Sequence, residues 1–475
     1  MLTRIRQWSE DANSQPIFWL KDAAGTGKST VAATIAAEWE QSGRLAGRFF
    51  FSPNIALNKR IKYFCRTVAA DIACRFPEMR RYIEDKLIES PPMESRMDFA
   101  LQLGQTVFEP LAQRKKPETV ILVIDALDNC DVDDREYLVK TLLTQVPTID
   151  RLKLLITSRP FQDLMDHLDR SVLVCGQGVQ LLDANNPPQD DIAIYVHSKL
   201  QTYSPEDRQR VIDHSKGLFV WAATFCRTLL HTRLGARLLS NLAHETVTGS
   251  IDQLYLDVLK QALLKKSSKE SLKQVLQVVI AAFQPVSINT IISLLPAVER
   301  VDDLVQDLAS VVKDGHPDRP LKVLHPTFRE FIASNEDRAN GFLIHIDPSH
   351  SLLGQACLHV IEYSLKFDML GLSSQGRLIP RNTDVENLDD MIEGRTSTVV
   401  RYATSYWAHH VAASGSSWQD WAGVARFFQS HLYHWIEFMS WRGMLGYCLQ
   451  ALSRLNNMVR GDVAIGDAEV RDTTQ

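Results

Sequence analysis

The chain has 475 residues, 45% hydrophobic and 23% charged, with a formal net charge of −5. That balance is ordinary for a soluble globular protein of about three domains. With 22 Gly and 19 Pro it excludes collagen-like and low-complexity chains.

The mild charge gives no electrostatic footprint for nucleic acid. The longest nearly unbroken apolar run, Val275 to Val286, is too short to cross a bilayer. The first 14 residues are polar and charged, with no apolar core of a secretory signal. Seven cysteines are scattered without a CxxC pair, which speaks against a disulfide framework or a zinc site. A reducing, cytoplasmic setting without membrane contact is the expectation.

In chain order, Ile17-Phe18-Trp19-Leu20 is a strand candidate that runs into a glycine-containing loop. Val31, Ile35 and Trp39 then recur four apart, as on one face of a helix. Phe49-Phe50-Phe51 predicts a second strand, and residues 57 to 88 a helical stretch with Ile61, Phe64, Val68 and Ile72 on one face. Val120-Ile121-Leu122-Val123-Ile124 is apolar on both faces and ends on Asp125, which predicts a buried strand of a parallel sheet. Leu154-Leu155-Ile156-Thr157 and Val172-Leu173-Val174-Cys175 predict two more. Five strands with helical crossovers make an α/β domain, a parallel sheet with helices on both faces.

The loop after the first strand reads Asp22-Ala23-Ala24-Gly25-Thr26-Gly27-Lys28-Ser29-Thr30. Between a strand and a helix, this is the context of a phosphate-binding loop. Backbone N–H groups of Ala24, Gly25, Thr26, Gly27, Lys28, Ser29 and Thr30 are placed to wrap a phosphate, aided by the positive end of the following helix. Lys28 reaches the β- and γ-phosphates, and the Ser29 hydroxyl ligates Mg²⁺. Asp125, at the carboxyl end of its strand, is the second Mg²⁺ candidate. Asp128 is the candidate to orient or deprotonate water, and Arg159, just past the fourth strand, to sense the γ-phosphate. Asp22 stands where the full loop pattern has glycine.

Phe18-Trp19-Leu20, AAGTGKST, VIDALDNC and LLITSRP, at this spacing, resemble the NACHT-type signalling NTPases of fungi, a branch of the STAND-class P-loop NTPases, with an N-terminal domain of nephrocystin-3-like type. The resemblance continues at Asp191–Val196, at Lys216-Gly217-Leu218-Phe219-Val220-Trp221-Ala222 and at Leu324-His325-Pro326-Thr327-Phe328-Arg329-Glu330-Phe331. It implies ATP/ADP and Mg²⁺ as cofactors, slow hydrolysis at most, and a homo-oligomer in the ATP state with protein partners the sequence does not name. It also implies that His325, in a winged-helix domain, contacts the β-phosphate of ADP.

Four features depart from the family. Asp22 replaces a glycine, and Asn129 replaces a second acid, leaving Asp128 as the candidate base. The loop starts 22 residues from Met1, which leaves no room for an effector domain. Finally, no repeat period marks a sensor array. The expectation is a minimal switch module or a fragment of a longer gene product.

Beyond the nucleotide domain, Asn185–Gln189 breaks the chain before a helical stretch. Val301, Leu304, Val305, Leu308, Val311 and Val312 form an amphipathic stripe, and Leu321–Leu324 reads as a wing strand. Asp302, Asp303 and Asp307 on the stripe's polar side would repel nucleic-acid phosphates. In the last third, Val399, Ala403, Tyr406, Trp407 and His410 share a helix face, and His409 and His410 read as core and surface histidines rather than metal ligands. The expected domains are 1–183 nucleotide-binding, 184–265 helical, 266–345 winged-helix, 346–457 helical and 458–475 flexible tail. The leading function is an ATP/ADP-dependent switch. The alternatives are a nucleotide-binding scaffold without turnover and a P-loop metabolic enzyme such as a small-molecule kinase.

Overall fold

The structure is a computed structural model that describes residues 2–22, 24–51, 57–89, 96–114, 118–160, 180–183, 189–231, 239–240, 250–263, 268–313, 316–334, 339, 341–372 and 381–472. Five parallel strands form one sheet in the order β2-β3-β4-β1-β5. They are β1 (Ile17–Lys21), β2 (Leu45–Phe50), β3 (Val120–Asp125), β4 (Leu152–Ser158) and β5 (Gln180–Asp183). The α/β fold expected from the apolar runs is therefore present. The expected strand at 172–175 lies outside the described residues, and β5 pairs with β1 at Phe18–Lys21.

Alternation along each strand explains why both faces are apolar. Ile17 and Trp19 of β1, Leu122 and Ile124 of β3, and Leu154 and Ile156 of β4 share one core with Phe64, Val68 and Leu138. Phe18 and Leu20, Ile121 and Val123, and Leu155 face the other way, into a core with Ile35, Trp39, Ile5 and Trp8. A strand buried on both faces needs helices on both, which the helices Leu57–Arg75 and Val132–Gln145 on one side and Lys28–Gln41 on the other supply.

The polar N-terminus, read only as lacking a signal, is the helix Leu2–Glu10, with Ile5 and Trp8 buried. Lys153, a buried side chain at the second position of β4, holds it. Its Nζ donates to the Trp8 and Asp11 carbonyls, each at 2.5 Å, and lies 5.1 Å from the Trp8 ring. These carbonyls at the helix C-terminus have no partner inside the helix, so a lysine there satisfies them and complements the dipole.

The chain divides into two compact units, the first covering Met1–Cys226 and the second mainly Ser250–Gln475. The boundaries expected at 183, 265 and 345 fall inside these units. In the second, helices Ile251–Ala262, Lys269–Ala281, Ile288–Leu294 and Val301–Asp307 lead to an antiparallel pair, β6 (Val312–Lys313) and β7 (Lys322–Val323), then the helix Pro326–Ser334. Helices Ile346–Ser364 and Thr398–Ala413 follow and share one continuous core with the earlier ones. Gly354 permits close approach there, since a Cβ on it would lie 2.7 Å from the Trp418 ring. The Trp407 ring meets Phe427 tilted at 4.2 Å and Trp435 edge-on at 5.7 Å, and Trp435 donates to the Thr404 carbonyl. The last helix, Leu445–Asp472, includes most of the segment expected as a tail.

His409 and His410 are both buried, so the expected surface histidine is corrected. The helix Thr398–Ala413 is covered on more than one face, so adjacent positions both reach protein. His410 Nδ1 meets His350 Nδ1 at 2.9 Å, and His410 Nε2 meets the Tyr402 hydroxyl at 2.8 Å. Burial pushes the His350 imidazole down to about 4 and holds His410 well below its ordinary value. Both rings fold neutral and gain protons on unfolding, so stability is lost as pH falls from the unfolded value near 6.5 toward 4. Going from pH 7 to pH 5 is expected to lower unfolding stability by on the order of 1–2 kcal/mol through His350. Urea titrations at both pH values, with His350→Gln as the variant that loses part of the difference, check this.

Candidate functional site

The site begins where β1 ends. Past Lys21 the chain turns through Gly25 and Gly27, both left-handed at φ 87° and 93°. That backbone is open to glycine and strained for other residues. Gly27 is the cap of the helix Lys28–Gln41, whose N-terminal end favours anions. Asp22 takes an ordinary backbone conformation, its N–H donating to the Ser158 carbonyl at 3.3 Å. The missing first glycine therefore imposes no left-handed strain here. Lys28 folds back over the loop and donates to the Asp22 carbonyl at 2.7 Å. Burial lowers its pKa, opposed by the charges of Asp22, Asp128 and Asp125.

Asp125 ends β3 and is 3% exposed. Its carboxylate accepts hydrogen bonds from the Thr157 hydroxyl and from the side chain of Ser29. Thr157 also accepts from the Ala126 N–H at 3.0 Å, at a residue strained to φ 54°. Burial raises the Asp125 pKa, and the Thr157 and Ser29 hydroxyls work against that rise. The sheet order sets up this junction. β4 lies between β1 and β3, so Thr157 at its end reaches Asp125 while Trp19 of β1 donates to the Ser158 hydroxyl at 2.8 Å.

Asp128 and Arg159, read from the sequence as a base and a phosphate sensor, are brought to each other. The Arg159 N–H donates to Asp128 Oδ1 at 3.1 Å, and its guanidinium Nε lies 3.3 Å from Oδ2. Arg135, which the sequence reading missed, is buried and donates to the Asp128 and Cys130 carbonyls, fixing the turn. A lone arginine in an amphipathic helix carries no sequence signal for that role. Thr157 was also missed as a site residue, although a polar residue straight after the apolar run Leu154-Leu155-Ile156 was the available sign.

The first unit adds one contact from the segment Lys216–Ala222. The Val220 N–H donates to the Gly25 carbonyl at 2.9 Å, so the start of the helix Phe219–His231 is bonded to the loop itself. His325 belongs to the second unit. There the Thr327 N–H donates to its Nδ1 at 3.2 Å, which leaves Nε2 to carry the proton.

Two variants probe the junction. Thr157→Val removes a buried donor and acceptor together and is expected to cost about 1–3 kcal/mol, read as a lowered urea midpoint. Asp125→Asn removes a charge whose burial disfavours it at pH 7 and is expected to raise the thermal midpoint of the nucleotide-free chain. A lowered midpoint would contradict that sign.

Residues 2–159 match the family described as Nephrocystin 3, N-terminal. The chain is 22% identical over 502 aligned positions to the vegetative incompatibility protein HET-E-1 of Podospora anserina, a match that covers 96% of this chain and 35% of that protein. It thus spans about a third of that relative's length. Among solved structures it is similar to a STAND protein with a tetratricopeptide repeat sensor from Pyrococcus horikoshii, at 12% identity and TM-score 0.44, covering 96% of this chain and 64% of that one. It is also similar to a Walker-type ATPase of Pyrococcus abyssi, at 12% identity and TM-score 0.33, covering 69% and 93%. Residues 2–159 thus match the nephrocystin 3 N-terminal family model, and 96% of the chain aligns with a fungal vegetative incompatibility protein.

Proposed function

We propose that the chain is a nucleotide-dependent signalling switch that binds ATP or ADP with Mg²⁺ in the loop Ala24–Thr30. The observation that carries this reading is the hydrogen-bonded pair Ser29–Asp125 at the mouth of a glycine-turned loop that opens a helix. Both are hard oxygen donors of the kind Mg²⁺ takes. Bound there, the ion would neutralise phosphate charge. Lys28, now held on the Asp22 carbonyl, is near enough to swing to a β- or γ-phosphate. Gly25, Thr26, Gly27 and Thr30 would hold phosphate through backbone N–H groups, and the protonated Nε2 of His325 is a donor suited to a β-phosphate.

Switching would run through the loop's own partners. Nucleotide exchange that shifts Gly25 also moves the acceptor of the Val220 N–H, and so biases the helix that follows. The ATP state is the one we expect to self-associate. The order from Ser287 through β6 and β7 to His325 supports a winged-helix reading of that region.

Asp128 is the candidate for orienting water. Its carboxylate is engaged by Arg159 on both oxygens, which favours a second reading, a scaffold that binds nucleotide without turnover. Hydrolysis would require Arg159 to leave Asp128, as when a γ-phosphate draws the guanidinium away.

Purified wild type is expected to release ADP on denaturation, and Lys28→Ala to release none. Chromatographic identification of the nucleotide checks this, and an empty wild type that also refuses added Mg-ATP would overturn the reading. Slow phosphate release that disappears in Asp128→Ala would support the switch, and equal rates in the two would support the scaffold. Light scattering is expected to show a larger particle with Mg-ATP than with Mg-ADP.

A further inference from the structure

The second unit holds a cleft of about 380 Å³ with two arginines on its wall, Arg401 and Arg442. Neither has a carboxylate partner among the described residues. Arg442 donates through Nη1 to the Arg401 carbonyl at 3.1 Å and to the Ser405 hydroxyl at 2.8 Å. Arg401 is held the same way, through Nη1 on the Thr396 carbonyl and hydroxyl. Each guanidinium is thus fixed at one nitrogen by neutral acceptors, while its charge is left uncompensated. Burial and the neighbouring Arg401 cation both lower the Arg442 pKa. Two like charges brought together in a half-buried cleft cost stability unless an anion offsets them.

We propose that this cleft binds a small phosphate-bearing molecule. Two guanidiniums lining one cleft, each anchored at one nitrogen, suit a dianionic tetrahedral group, because each offers several N–H donors in a rigid fork. The hydroxyls of Thr290 and Thr398, 3.2 Å apart, line the same cleft, and that of Ser405 donates to the Arg401 carbonyl at 2.8 Å. Asp318 lines the same cleft, its Oδ1 accepting from Asn289 at 2.7 Å. Its carboxylate is an acceptor for a hydroxyl carried by the same ligand. The cleft volume suits a small molecule. The site is separate in sequence and chemistry from the loop Ala24–Thr30 and does not depend on it.

The test is calorimetric titration of the full chain carrying Lys28→Ala, saturated with neither nucleotide nor Mg²⁺, with glycerol 3-phosphate, inorganic phosphate and malonate at constant ionic strength. We expect glycerol 3-phosphate to bind at one site, and Arg401→Gln or Arg442→Gln to weaken it at least tenfold. Arg442 also supports the fold, so Thr398→Glu serves as the second variant. It places a carboxylate at the exposed rim beside the arginines, and is expected to abolish binding while keeping or raising the thermal midpoint. No uptake of either phosphate compound by the Lys28→Ala chain would overturn the proposal. So would unchanged affinity in Thr398→Glu, or malonate binding as tightly as glycerol 3-phosphate. Failure of nucleotide binding at the loop would leave this result standing on its own.

Discussion

The carboxylate of Asp125 is the constraint around which the first unit is arranged. It sits at the end of a strand buried on both faces, where an isolated charge is costly. Thr157 from β4 and Ser29 from the loop helix meet it. That requirement ties together the ends of two strands and the start of a helix, and fixes the turn at Ala126 through the other side of the Thr157 hydroxyl. The same geometry exposes oxygen donors at the carboxyl edge of a parallel sheet, where open α/β folds bind ligands. Stability and the candidate site therefore compete for one side chain.

Around this junction, charge is used sparingly and in pairs. Lys28 rests on a carbonyl, and Asp128 is closed off by Arg159 and anchored through its backbone by Arg135. Each of these arrangements has an obvious alternative once a polyphosphate arrives, since phosphate competes for both Lys28 and Arg159. The Val220–Gly25 hydrogen bond means that any rearrangement of the loop is felt at the helix beginning with Phe219.

The second unit solves a different problem. Its helices bury tryptophans and phenylalanines in one core, and one polar network caught inside is neutral: His350 and Tyr402 both bond to His410. Neutrality makes that network compatible with burial near pH 7 and vulnerable in acid. Arg401 and Arg442 are the contrast, two cations kept on a cleft wall with only neutral acceptors.

The sequence by itself determined the α/β class and the location of the loop. Runs such as VILVI, apolar on both faces, together with IFWL leading into two glycines and a lysine, have few other solutions in a folded chain. Asp125 was legible because an acid ending a wholly apolar strand stands out. The tertiary structure alone decided what these residues touch. Thr157, Arg135 and Lys153 act on partners 31, 7 and 145 positions away, and no local pattern encodes which strand lies beside which. The same holds for Asp128 and Arg159. Each looked catalytic taken singly, and only the placement of β4 next to β3 made them an ion pair. Local propensity and periodicity are properties of neighbours in sequence, whereas charge pairing and hydrogen-bond satisfaction are settled by strand order.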